Sequence, residues 1–277
     1  MSITVIDTNN RRKESFPAEA GTARQIITSD DGAKDVRAAI YEIEPHKSVD
    51  MELNSENRSH LFYVLEGEGV GRFSFRGAKH IAKKGAGLYL EPGEKFSLLT
   101  REAPLTLLHL HVPKHVKKPT NTPPTSYYFD EDQLQSLISA GKSRIRSFWV
   151  NKETGLSGSW DMQAGLMRYA PNGFSPRHKH EGTPTNPEGA VHFYMIFEGT
   201  GKVIEDTGTT PIGPGSLVLI PAGEWHQLVA SETGLRYMEF QGPFDFASTM
   251  DNDPEGKDWF INGSDDGTGK PIKWVQS

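Results

Sequence analysis

The chain says the same thing twice. In its first half Val36–His46 (VRAAIYEIEPH), Leu61–Phe75 (LFYVLEGEGVGRFSF), Gly85–Phe96 (GAGLYLEPGEKF) and Leu105–Val112 (LTLLHLHV) follow one another. In its second half Gly165–Gly173 (GLMRYAPNG), His192–Glu205 (HFYMIFEGTGKVIE), Gly215–His226 (GSLVLIPAGEWH) and Leu235–Gly242 (LRYMEFQG) occur in the same order. A repeat of this length means one architectural unit built twice. Within each copy, apolar residues alternate with period two in short runs bounded by Gly and Pro, the pattern of strands. Many short strands with little helix point to barrels or sandwiches. The closest pair, YVLEGEG and MIFEGTG, reads as a strand ending in an E-G-x-G hairpin turn, with glycine supplying positive φ.

One helix signal interrupts this pattern. Phe129–Gly141 (FDEDQLQSLISAG) opens with acidic residues, spaces its apolar residues helically and ends at glycine. The Pro/Thr stretch Lys117–Thr125 before it reads as a linker. The expectation is an N-terminal barrel over 1–116, a linker with one short helix over 117–142, and a C-terminal barrel with its tail over 143–277. The Asp-, Asn- and Gly-rich tail beyond Phe246 is expected to wrap the surface or move.

Composition narrows the chemistry. The 277 residues contain no cysteine, so disulfides, iron–sulfur clusters and thiol nucleophiles are excluded. Any protein-held metal must use His, Asp, Glu or Gln. The formal charge is −6 and no basic patch stands out, which argues against nucleic acid. The start of the chain has no apolar signal core and no run is long enough to span a bilayer, so neither secretion nor a membrane is expected and the cytoplasm is the default.

The second half carries a cluster the first lacks. His178 and His180, two apart on a strand, point to one face about 7 Å apart at the backbone. His192 opens the next long strand, and His226 follows a Pro-x-Gly turn. Such imidazoles can converge on one ion at about 2.0–2.2 Å. A neutral His set suits Fe, Ni, Cu or Zn, whereas a carboxylate would shift preference to Mn.

These segments resemble the cupin superfamily, whose members carry G-x5-H-x-H-x3-4-E-x6-G followed by G-x5-P-x-G-x2-H. The second motif is matched by Gly215, Pro221, Gly223 and His226; the first is matched at His178 and His180. Two departures stand out. The spacer Glu181–Val191 is longer than usual, and His192 occupies the usual Glu position, seven before Gly199. Glu188, in the inserted loop, is the rival for that role. The loop reads as a lid over the metal or as a surface hairpin extension. The resemblance implies two double-stranded β-helix (jelly-roll) barrels, all-β, with one divalent transition metal in the second, held by His178, His180, His192 and His226. Iron is expected first, with Mn, Ni, Zn and Cu as alternatives.

The first barrel reads as degenerate. Aligned by frame, Glu52 and Asn54 fall near His178 and His180, His60 falls at His192, and Phe96 replaces His226. His109 and His111 share a strand face and could meet His60, most simply as hydrogen-bonded barrel histidines.

The His-rich set resembles the non-haem cupin dioxygenases, which use O₂ to cleave C–C bonds in small aromatic, flavonol or dicarbonyl compounds. That is the first expectation. A non-oxidative bicupin hydrolase, lyase or isomerase using the metal as Lewis acid is the alternative, and a small-molecule binding protein the third. Tyr194 shares parity with His192 and is expected inward; it and Glu239 are the candidate catalytic residues, with Glu188 a further candidate base. Arg177, Trp225 and Gln227 are the candidate substrate-binding residues. The expected partners are a small-molecule substrate and, on the oxygenase reading, O₂; a homodimer is compatible with the sequence but not demanded by it.

Overall fold

Alternation of side chains across a pleated strand requires a second apolar layer to cover the buried face, and each half of this chain supplies one. The computed structural model describes residues 2–15, 20–33, 35–53, 57–67, 71–114, 125–151, 161–251 and 259–262. Among these the chain is all-β, with 22 strands and only three-residue 3₁₀ turns. No helix there is long and apolar enough to cross a membrane.

Two compact units result. The N-terminal unit takes residues 10–133 and Asp161; the C-terminal unit takes residues 2–9 and, from 134 onward, all the other described residues. The division therefore falls at 133/134, inside the expected linker, and the first nine residues go with the second unit rather than the first. Thr4–Asp7 pairs antiparallel with Ser216–Ile220, placing Val5 opposite Val218. Lys117–Pro124 of the linker, with His115, Asn54 and Glu68–Gly69 of the first E-G-x-G, lies outside the described residues.

In the N-terminal unit a four-stranded sheet (Ser48–Glu52, Lys95–Thr100, Gly71–Phe75, Ala78–Ala82) and a seven-stranded sheet centred on Arg58–Glu66 and Leu105–Pro113 share a core of Phe62, Val64, Phe73, Leu88, Phe96, Leu98 and Leu107. In the C-terminal unit two long strands, Val191–Glu205 and His226–Gly242, pair along their length and carry the other strands on their flanks. The register of that pair slips between Ile196 and Glu198 and again between Gly199 and Gly201. So Glu198–Gly201 is no hairpin turn. It is a bulged bend inside one continuous strand, and such bulges let a strand turn a barrel corner. Gly199 has φ +79°, and a Cβ at Gly201 would stand 2.3 Å from the Val229 carbonyl oxygen, so the glycines serve the bend itself.

The helix expected over 129–141 does not form. Tyr127–Asp130 and Ser136–Ser139 are strands around the 3₁₀ turn Glu131–Gln133, and Ser136–Ser139 pairs with Arg144–Val150. A helix this short is marginal in water, whereas as strands Phe129 and Leu137 are both buried. Gly141 lies in the following hairpin turn instead of capping a helix, beside Lys142 at φ +60°. The tail does more than wrap the surface. Ala247–Met250 pairs with His178–Glu181, and Trp259–Ile261 closes the sheet edge against Ser136–Ser139 with the Trp259 ring buried.

The two units share one ladder register. His60 faces His111 as His192 faces Gln241; Phe62 faces His109 as Tyr194 faces Glu239; Met51 faces Phe96 as His178 faces His226. Met51 and Leu53 therefore stand where His178 and His180 do. Glu52, expected near His178, lies one residue off register and faces outward, paired with Lys95; a one-residue slip exchanges the faces of a strand.

Ile3, buried in the C-terminal core, tests the assignment of the first strand. Ile3→Ala should cost about 2 to 4 kcal/mol of that unit's stability in urea unfolding. A change below about 0.5 kcal/mol, the range of an ordinary surface substitution, would mean the strand adds nothing.

Candidate metal centre

Burial makes this site before geometry refines it. His178, His180, His192 and His226 are all buried, with ring centroids 4.2 to 6.4 Å apart. A desolvated imidazole resists protonation. His178 is pushed down from 6.5 to about 4, chiefly by burial, and burial together with the neighbouring imidazoles holds His180 and His226 well below the ordinary value. Each is a neutral imidazole at neutral pH, the form in which histidine can hold a metal.

The backbone then chooses which nitrogen faces inward. His178 Nδ1 donates to the Pro176 carbonyl oxygen at 2.8 Å, and His226 Nδ1 to that of Glu224 at 2.9 Å. His180 Nδ1 shares a hydrogen bond with Ser248 Oγ at 2.9 Å, and Nε2, which accepts from Gln241, is its lone-pair nitrogen. Fixing Nδ1 as donor leaves Nε2 as the lone-pair nitrogen. The ligating atoms of His178, His180 and His226 lie within 4.8 Å of one another. His226 Nε2 is buried with no hydrogen-bond partner among the described residues. A buried acceptor left open costs about 1–3 kcal/mol, and a cation at the centre of the trio satisfies it. The donor set fits a divalent transition metal.

His192 stands beside the trio, outside the convergent group. Its Nε2 lies 3.5 Å from Glu239 Oε1, and neither ring nitrogen hydrogen-bonds to a described residue. Glu188 is on the exposed face of the inserted loop. Glu239 is buried and paired with Arg146. Burial alone would raise its pKa, but Arg146 and then His192 outweigh it and hold the carboxyl down at about 2. Tyr194 is buried, its phenol pushed well above 10 by desolvation and by the Glu239 charge.

Beside the trio opens a cavity of about 70 Å³, walled by His178, His180, Tyr194, Glu239, Arg144 and Arg146 on one part and by Phe244, Phe246 and Trp259 on another. Arg177, Trp225 and Gln227 do not line it. Arg177 pairs with Asp206 and Asp251 at the surface and lies over the Trp225 ring at 4.4 Å. Gln227 donates to the Ser175 carbonyl oxygen at 2.9 Å. The cause is parity, since odd numbers beside the inward His178 and His180, and Gln227 beside His226, face away. Arg144, Arg146 and Gln241 went unnoticed in the sequence. The signal for Gln241 was available, because it is two residues from Glu239 on the same strand face.

Gln241 ends a relay of amides. Asn151 Nδ2 donates to Gln163 Oε1 and Gln163 Nε2 to Gln241 Oε1, each at 2.7 Å, and Gln241 Nε2 donates to His180 Nε2 at 3.0 Å. The inserted loop is latched to the cavity wall. Buried Asp245 accepts from Thr183 Oγ1 at 3.1 Å and Thr185 Oγ1 at 2.7 Å, and its carbonyl oxygen accepts from Asn186 Nδ2 at 2.9 Å. Its neighbours Phe244 and Phe246 line the cavity, the Phe246 ring 4.8 Å from that of His180.

In the N-terminal unit His60, His109 and His111 do meet, but as a stack. Their rings lie 5.1 to 5.4 Å apart and within 23° of parallel. His60 Nδ1 and His109 Nε2 share a hydrogen bond at 3.0 Å, and Tyr41 Oη lies 3.0 Å from His109 Nδ1.

A family model described as Cupin domain matches residues 165–239, the strands that carry His178, His192 and His226. That segment is a cupin domain. No curated protein matches the chain in sequence. Solved structures with the same fold span most of it. A putative glyoxylate induced protein from Pseudomonas aeruginosa is 16% identical with TM-score 0.70, over 87% of this chain and 88% of that chain. A deletion mutant of Bacillus subtilis oxalate decarboxylase is 12% identical, TM-score 0.65, over 89% and 78%. Salicylate 1,2-dioxygenase from Pseudoaminobacter salicylatoxidans, with gentisate, is 14% identical, TM-score 0.65, over 91% and 86%. At these identities the likeness is one of fold.

Two measurements check the site. The unfolded chain binds protons at histidine near 6.5 while the folded site resists them, so stability is full above 6.5 and lost as pH falls towards 4. The unfolding free energy of chelator-treated protein should fall over that window, by up to about 1.4 kcal/mol per pH unit for each such histidine, and its thermal midpoint with it; a flat profile would mean solvated rings. Asp245→Ala should release the Phe244–Phe246 wall and speed removal of bound metal by a chelator at least about tenfold, the loss of one charged hydrogen-bond set. Unchanged release would rule out a latch.

Proposed function

We propose that the C-terminal barrel is a metal-dependent oxygenase site, iron the first metal to test, acting on a small compound at the dicarbonyl end of the expected range. The observation that carries this is the neutral trio His178, His180 and His226, which holds an ion without a carboxylate. A divalent transition metal bound there keeps its full charge and supplies an open coordination sphere for a chelating substrate and O₂.

The chain's own residues would do the remaining work. Tyr194, neutral across the physiological range, donates a hydrogen bond from the cavity wall without losing its proton. Phe244, Phe246 and Met250 keep the cavity dry, which strengthens polar interactions within it. Glu239, held ionised near 2 by Arg146, is far from the matched pKa a general base needs; it serves by fixing Arg146 and His192. This is what sets the oxidative reading above a hydrolase or lyase, which requires a base at that place. The cavity of about 70 Å³ is about half the size of one that takes benzene, which favours a short dicarbonyl over an aromatic ring. The salicylate and oxalate enzymes of like fold act on small acids by name.

Protein reconstituted with Fe(II) should consume oxygen with short dicarbonyl compounds such as acetylacetone and 2-oxo acids, and His226→Ala should lose both bound metal and uptake. Turnover that continues undiminished without oxygen would overturn the oxygenase reading.

A further inference from the structure

We infer that Tyr194 is how this cavity recognises what it holds: its hydroxyl donates to a bare oxygen of the bound molecule, a carbonyl or enolate oxygen that carries no proton of its own. The inference rests on the site proposed above and narrows the class of molecule it accepts. Tyr194 lines the cavity and is only 1% exposed. A buried tyrosine hydroxyl ordinarily finds a partner, and the other polar groups of this wall have theirs. Arg146 pairs with Glu239, Gln163 bonds to Gln241, Ser248 bonds to His180, and Ser175 Oγ accepts from the Leu228 amide. Arg144 is engaged as well. The Tyr194 hydroxyl bonds to no described residue, not even to Glu239, its neighbour across the ladder. Among the described residues it is the polar group of the wall that the chain leaves unanswered.

The group is also held in place. The Tyr194 ring makes edge-to-face contacts with His192, centroids 4.7 Å apart, and with Tyr237 at 5.1 Å. Its centroid lies 6.1 Å from that of His226, so the donor stands beside the trio. A donor already fixed by packing loses little freedom when it binds. The direction of the bond follows from the phenol itself. Its oxygen lone pair is drawn into the ring, which makes it a good donor and a poor acceptor, and burial keeps the proton on it. A bound hydroxyl or amine would set one donor against another, whereas a carbonyl offers a lone pair. Phe244, Phe246 and Met250 on the same wall suit alkyl ends. A short diketone meets both demands, with oxygens that carry no hydrogen for Tyr194 and the metal, and carbon for the apolar side.

The test is calorimetric titration of zinc-loaded protein, zinc having no redox chemistry, with acetylacetone and with its enaminone isostere, in which an NH₂ group replaces one oxygen. The diketone should bind about 3- to 10-fold more tightly than the enaminone. Tyr194→Phe should weaken the diketone by about the same 3- to 10-fold and close the gap between the two, with zinc content unchanged by elemental analysis. Because the hydroxyl has no partner among the described residues, Tyr194→Phe should also keep or raise the thermal midpoint of the ligand-free protein, a pairing of effects that a structural hydroxyl does not give. A midpoint that falls would show the hydroxyl already bonded within the barrel and overturn the inference, as would unchanged diketone affinity in the folded variant. Enaminone binding as tightly as the diketone in the unsubstituted protein would overturn it without any variant. Zinc keeps this result separate from the oxygenase reading. Iron-loaded protein that binds the diketone through Tyr194 yet consumes no oxygen overturns only that reading, and zinc-loaded protein that binds it without help from Tyr194 overturns only this one.

Discussion

Two carbonyl oxygens, those of Pro176 and Glu224, decide which nitrogen of His178 and His226 faces the barrel. Each sits two residues before its histidine, so the choice is made by local backbone and does not wait for the barrel to close. With Nδ1 spent on that bond, Nε2 is the lone pair that remains, and burial keeps it unprotonated. The rest of the site follows. His180 joins from the same strand face as His178, its Nδ1 hydrogen-bonded to Ser248 on a strand past the end of the family match. The aromatic wall and the latched loop then preserve the dryness on which the neutral rings depend.

The N-terminal unit shows what the same frame does with other residues. Met51, Leu53 and Phe96 occupy the three ligand positions and join the apolar core. A fully buried Leu or Phe side chain gains about 1.5–3 kcal/mol from leaving water, while a buried imidazole gains less and must have its polar atoms satisfied. One barrel has taken the stabilising choice at all three places, and two of its remaining histidines, His60 and His109, share a hydrogen bond, with Tyr41 Oη at the far side of the His109 ring. The other keeps the costlier set, with the buried His226 Nε2 finding no hydrogen-bond partner among the described residues.

What could be read from residues alone divides along physical lines. Period-two alternation and the repeat carried the all-β architecture because strands buried on one face must alternate. The motif carried His178, His180 and His226 because Pro and Gly fix the turn before the last. Four things were hidden. Glu198–Gly201 has the glycines of a hairpin, but the partner strand, which only the fold supplies, makes it a bulge. Phe129–Gly141 spaces its apolar residues as a helix would, yet the neighbouring strands offered more burial to an extended chain. Glu52 looked like the counterpart of His178 because a frame counted in sequence ignores register, and pairing moved the match to Met51. Arg144 and Arg146 carried no motif at all; they matter because a strand outside the matched segment lends its inner face to the cavity.

The amide relay adds a constraint of its own. His180 Nε2 has one lone pair, and in this arrangement it accepts a hydrogen bond from Gln241 Nε2. A cation taking that lone pair and the amide donating to it exclude each other. The relay Asn151–Gln163–Gln241 is reversible, since an amide is nearly the same shape with its oxygen and nitrogen exchanged. Turning all three keeps both amide–amide bonds of 2.7 Å and presents Gln241 Oε1 to the site in place of its NH₂. Reversal gives up the Gln241–His180 hydrogen bond, which a cation on that lone pair would displace in any case, and would answer a positive charge at His180 with an oxygen without moving the backbone. Glu239 cannot do the same, because its charge is committed to Arg146. The neutral residue two places along the strand is therefore the one free to respond to what the histidines hold.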